Sequence, residues 1–169
     1  MHHHGYLWAG PKQRFDEEAL RRAPRSDPPS PQSKPELIRR YSEAAAEFPV
    51  SELPPVETAH WLIKPRTVIR GTWEEPQQAA AWLGERLAEY APRFDSNLYQ
   101  DTTHLAVLVN SAAERLGWGG DVSLGFYLEH PAFLSLALVS CSPNRAAPEQ
   151  TCPVGRPKAQ SSTRTYPPV

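Results

Sequence analysis

The sequence predicts a small α+β domain: a mainly antiparallel sheet with two core helices on one face, flanked by proline-rich disordered arms. Three observations predict it. Residues 1–57 and 146–169 hold 14 of the 19 prolines, although they make up less than half the chain. The stretch between them, 58–145, holds four of the five tryptophans, Trp61, Trp73, Trp82 and Trp118, which is the aromatic density a small core needs. Within that stretch the hydrophobic period switches in the order strand, helix, helix, strand, strand.

The chain therefore divides into a flexible N-terminal arm (1–34), a short helix and linker (35–57), a compact α+β domain (58–145) and a disordered C-terminal tail (146–169). In the arm and at its end, Pro24, Pro28, Pro29, Pro31 and then Pro35 remove backbone donors and push their predecessors out of helical geometry. In 35–48, Leu37, Ile38, Tyr41, Ala45 and Phe48 share one side of a short helix. The tail is rich in Pro, Ser, Thr, Gln and Arg and offers few apolar groups to offset the cost of ordering.

The first core element runs from Trp61 to Trp73. Alternation puts Trp61, Ile63, Thr67, Ile69 and Trp73 on one face and Lys64, Arg66 and Arg70 on the other, so it reads as a strand bent at Pro65. Pro76 suits a helical first turn, and Ala79, Leu83, Leu87 and Tyr90 follow at helical spacing until Pro92. A second helix spans about Asn97 to Leu116 and stops at Gly117, with Trp118 expected to pack beneath the following turn. Val122, Leu124, Phe126 and Leu128 then alternate with Ser123, Gly125, Tyr127 and Glu129, and the nearly continuous apolar run from Phe133 to Ser140 reads as a buried hairpin partner.

Composition removes several classes of function. Eighteen basic against nineteen acidic residues, a net charge of −1, exclude a strongly cationic nucleic-acid coat. No run approaches the length of a membrane-spanning helix. Two cysteines, Cys141 and Cys152, are too few for a disulfide scaffold, and with no secretory signal pattern at the N-terminus the expected location is cytoplasmic. Phosphate-loop, dinucleotide, zinc-protease, Cys-x-x-Cys and nucleophile-elbow motifs are all absent.

The remaining signals favour a non-catalytic interaction protein engaging a macromolecular partner. Tyr6, Leu7 and Trp8 form an isolated aromatic cluster between Gly5 and Gly10, suited to act as a docking peptide on a flexible arm. Lys64, Arg66 and Arg70 form a basic strand face for an acidic protein surface or, less favoured, nucleic-acid phosphate. The rival reading is a small-molecule-binding domain or enzyme with a dispersed site: Asp101 orients His104, Cys141 is the nucleophile, and Trp73 or Tyr99 lines the pocket. Against it, a thiol in an apolar strand usually acts as a small hydrophobe, and an acid in a helix's first turn needs no catalytic role. In the run His2, His3 and His4, with Met1 retained, the terminal amine, two backbone amides and the His3 imidazole form a square-planar nitrogen set for Cu(II) or Ni(II), but any short exposed histidine run binds such ions weakly. No cofactor and no metal are assigned from the sequence.

Overall fold

The structure, a computed structural model, describes residues 1–155. Its chain order is β1 (His2–Pro11), α1 (Lys12–Phe15), α2 (Glu18–Arg21), α3 (Pro35–Glu47), β2 (Ile69–Trp73), α4 (Pro76–Tyr90), α5 (Thr102–Gly117), β3 (Val122–Tyr127) and β4 (Ala132–Cys141). The four strands form one antiparallel sheet in the order β2-β1-β4-β3. With α4 and α5 packed on one face, this is the predicted α+β class.

One strand was not anticipated. Residues 2–11, assigned to a flexible arm, form the long central strand β1, paired with β4 along its whole length and with β2 from His3 to Tyr6. Both faces of β1 are covered over its first half, so His3, His4 and Tyr6 are all buried and no polar–apolar alternation survives to mark the strand. The second correction concerns 58–68. That segment is two 3-10 turns, Thr58–Ile63 and Arg66–Val68, split at Pro65, and only Ile69–Trp73 is strand. Pro65 supplies no backbone donor, and the chain uses the break to fold across the sheet instead of along it.

On the helix face, Leu134, Leu136 and Leu138 of β4 meet Leu83 and Leu87 of α4 and Leu105 and Leu116 of α5. The Trp73 ring lies over Gly5 and Gly71 against Trp82, with the two indole centroids 5.4 Å apart. A Cβ on Gly71 would stand 2.3 Å from that ring, so the close approach requires glycine. Asp101 caps α5, its carboxylate accepting from the Thr103 and His104 amides. After α5, Gly119 takes the left-handed conformation, φ +80°, that closes the helix, while Trp118 is exposed between Arg115 and Arg145 instead of buried beneath the turn.

The opposite face carries a second core: Tyr6, Ala137, Val139 and Cys141 from the sheet, covered by Trp61, Leu62 and Val68 from the 3-10 turns. The helix predicted at 35–48 is present as α3, but none of its residues is buried; Phe48, just past its end, is its anchor. Of the predicted disordered tail, residues 146–155 are described and partly docked, with Ala147 buried; residues 156–169 lie outside the described residues. Among the described residues, no helix is long and apolar enough to cross a membrane.

Candidate functional site

Strand geometry decides what the face opposite α4 and α5 presents. Successive side chains alternate, so His2, His4, Tyr6 and Trp8 of β1 share this face with their cross-strand partners Cys141, Val139, Ala137 and Ser135. Its middle is sealed by Trp61 and its neighbours. Its two ends hold the features with chemical content.

At one end stand His2, His4, Cys141 and Cys152, whose ligand-capable atoms all lie within 4.8 Å of one another. His2 and Cys141 are direct cross-strand partners. Cys152 comes from the segment after β4, its sulfur 3.1 Å from His2 Nε2 and 3.6 Å from His4 Nε2. A buried polar network brings it there. The Asn144 amide donates to the Asp121 carboxylate and to the Ser140 carbonyl, and its side-chain oxygen accepts from the Ala146 and Ala147 amides. These bonds turn the chain back over the sheet edge.

The electrostatics of this end follow from burial. His4 is fully buried and its pKa is pushed down to about 4, first by desolvation and then by the neighbouring His2 and His3. Desolvation lowers His2 and His3 as well, and raises the Cys141 thiol. The imidazoles are therefore held neutral, the state in which a ring nitrogen can donate a lone pair. His4 Nδ1 lies 2.8 Å from Thr72 Oγ1, so its Nε2 is the atom turned to the sulfur. His3 points to the other face and pairs with Ser140 Oγ at 3.0 Å. The amine-and-His3 square-planar set considered from the sequence is therefore not assembled, and all three histidines are structural members of β1.

At the other end of the face is a groove of about 1040 Å³ between β1 and α3. Consecutive residues Trp8, Ala9, Gly10 and Pro11 line one wall, with Leu20 of α2 and Ala44 of α3 across from them. Four consecutive strand residues can line one cavity only if the strand presents its edge. That edge is open because β2 stops pairing at Tyr6, leaving Leu7–Pro11 bonded to β4 alone among the described residues. Trp8 and Phe48 are the aromatic residues of its lining, which also carries Arg14, Arg22, Arg40, Glu43, Glu47 and Glu52. Outside that lining, Phe15 packs beside Trp8 at 6.1 Å and on Phe133 at 4.4 Å, with the Arg21 guanidinium 3.6 Å over the Phe15 ring.

The residues singled out from the sequence fall differently from expectation. Tyr6 is buried in the second core and Leu7 packs toward the helices, so of the aromatic cluster only half-exposed Trp8 reaches the groove. The basic strand face does not form. Lys64 is buried, its ammonium donating to the Phe48 carbonyl at 2.8 Å, while Arg66 is exposed in a 3-10 turn and Arg70 is exposed on β2. Asp101 is occupied as a helix cap, and Cys141 sits with His2, His4 and Cys152 instead of with Asp101 and His104. Tyr99 packs on Phe94 and Phe126, and Trp73 on Trp82, as core side chains.

Sequence reasoning missed the grouping of His2 and His4 with the two thiols. Its one legible trace was the His-x-His spacing, which aligns two imidazoles if the segment is a strand. Comparison with protein families, with curated proteins and with solved structures found no match.

Proposed function

We propose that this chain is a non-catalytic binding protein that takes up an extended, apolar segment of a partner protein along the open edge of β1. The observation that carries this reading is the stretch Trp8–Pro11, which lines the groove and among the described residues is paired only to β4, its other edge being open. In an antiparallel strand every other residue directs its backbone N–H and C=O to the same edge, and an added strand satisfies those groups directly. The Trp8 ring folds over Gly10, where a Cβ would stand 2.6 Å from it, so the indole lies along the strand beside the open edge. Trp8, Leu20 and Ala44 offer apolar surface to its side chains, and Trp is a residue type over-represented at binding hot spots.

The amphipathic helix α3 fits the same reading. It buries none of its own residues, and it turns Ala44 to the groove between Arg40, Glu43 and Glu47, so an incoming segment would meet one small apolar side chain flanked by both signs of charge.

The test is selection of linear peptides on the full-length protein from a displayed random library, followed by affinity measurement. Selected peptides should be apolar at alternate positions and should slow amide exchange at residues 8–10. Trp8→Ala should weaken them by roughly tenfold or more, the scale of a hot-spot side chain. Ala44→Trp, which fills the groove, should abolish binding without unfolding the protein. Failure to select any peptide, or binding indifferent to both substitutions, would overturn the reading.

A further inference from the structure

The end of the sheet away from the groove carries an independent assignment. We propose that His2, His4, Cys141 and Cys152 form a four-coordinate zinc site that fastens the segment after β4 to the first strand of the sheet.

The donor set is the first argument. Two thiolates and two imidazoles are the borderline-soft ligands of structural Zn²⁺ sites, which are closed, tetrahedral and supplied entirely by the protein. Two thiolates also neutralise the dication, so the assembled centre has no net charge and can occupy a position where His4 and Cys141 are inaccessible to solvent. Three separate segments converge here: β1, the end of β4 and the chain around Cys152, which lies 150 residues from His2.

Distance is the second argument. Metal bonds of ~2.0–2.3 Å in a tetrahedron place neighbouring ligand atoms roughly 3.3–3.8 Å apart. The Cys152–His4 separation of 3.6 Å falls in that range and the His2–Cys152 separation of 3.1 Å just below it, and from the 4.8 Å limit on the whole group a contraction of about 1 Å completes the tetrahedron.

The surroundings supply the third. Metal-bound histidines commonly engage their second ring nitrogen in a hydrogen bond that fixes ring and tautomer. His4 has that bond, with Nδ1 against Thr72 Oγ1 and Nε2 toward the centre. Tyr6, next along the same face of β1, buries a hydroxyl with no hydrogen-bond partner among the described residues. It packs in one cluster with Cys141 and Cys152, so a phenol O–H donor stands beside two sulfurs that carry negative charge once metal is bound.

The experiment uses the full chain, stripped of metal by a chelator under reducing conditions. Co²⁺ then serves as the spectroscopic probe and Zn²⁺ as competitor. The expected result is one Co²⁺ per chain, with the visible ligand-field bands of a tetrahedral ion and near-ultraviolet thiolate-to-cobalt charge transfer, all removed by Zn²⁺. Cys152→Ser and His2→Asn alter partly exposed positions and should stay folded by circular dichroism while losing more than ~100-fold in zinc affinity. Thr72→Val should lose roughly 10–100-fold, as outer partners of metal ligands do. Zinc should also slow proteolysis within residues 142–155. Absence of charge transfer at saturating cobalt, or equal affinity in Cys152→Ser and the unsubstituted chain, would overturn the assignment and leave only weak binding by exposed imidazole. These readouts do not involve the groove, so this test and the peptide selection succeed or fail separately.

Discussion

Tyr6 lies flat on Trp61, with ring centroids 4.6 Å apart and planes inclined by 14°. The pair joins the central strand to the 3-10 turn that seals the helix-free face, and both residues are buried. Offset aromatic pairs contribute ~0.5–1.5 kcal/mol beyond the area they bury. Tyr6→Ala should therefore cost about 3–5 kcal/mol, the range for deleting a large buried aromatic, measured by urea unfolding. Tyr6→Phe separates ring from hydroxyl. In metal-free protein the hydroxyl is buried without a partner among the described residues, so its removal should leave stability equal or raise it by about 1 kcal/mol. A marked loss in Tyr6→Phe would show that the hydroxyl has a partner in the metal-free state.

What was legible in the sequence, and what was not, divides along burial. Helices α4 and α5 and strand β3 each expose a pattern because each has one side to the core, while β4, buried on both, was legible as a continuous apolar run. Leu83 and Leu87 recur at helical spacing, and Phe126 alternates with exposed Tyr127. Strand β1 has no such pattern, since His3 and Leu7 face the helices while His4 and Tyr6 face the second core. A strand covered on both sides does not alternate, and a histidine run reads as polar whatever its surroundings. The site was hidden for a related reason. Cys141 and Cys152 are too far apart for a short metal motif, and their partners lie at the opposite end of the chain, so only the β1–β4 pairing brings them together.

Asn144 should be a stability residue. Its side chain is inaccessible to solvent and bonds to the Asp121 carboxylate, the Ser140 carbonyl and two amides. Asn144→Ala leaves those groups without this partner, a loss of about 2–4 kcal/mol by the usual cost of stranded buried polar groups. Because the same turn delivers Cys152, protease cleavage after residue 144 should accelerate in the variant. An unchanged digestion pattern would show that the segment is held by other contacts.

Gly71→Ala tests the close approach of Trp73. The added methyl would stand 2.3 Å from the indole, so the ring must leave its place between β1 and Trp82. Forcing a side chain out of a packed site typically costs ~1–3 kcal/mol. The expected signature is a lower unfolding midpoint together with a red shift of tryptophan fluorescence as Trp73 becomes wetter. If the midpoint falls with no change in fluorescence, the strain lies in the β2 backbone.

Lys64 gives a pH-dependent prediction whose sign follows from its burial. Desolvation pushes its pKa down from the ordinary 10.5 to about 8, and its ammonium donates to the Phe48 carbonyl. Between pH 8 and 10 the unfolded chain keeps this proton while the folded chain sheds it. The unfolded state then binds more protons, so the lysine's contribution to stability rises with pH across that window. Below about pH 8 the residue is charged in both states, and the cost of burying the charge is fully present. Lys64→Met removes the titration while keeping the aliphatic bulk over the Phe48 ring. Tyrosines and cysteines titrate nearby and are common to both proteins, so the quantity to measure is the difference in unfolding free energy between the two at each pH. That difference should shift in favour of the unsubstituted protein as pH climbs from 8 to 10 and stay flat from pH 6 to 7. A difference independent of pH throughout would mean that the cation–π contact with Phe48, 3.7 Å from the ammonium, offsets the desolvation and keeps Lys64 protonated.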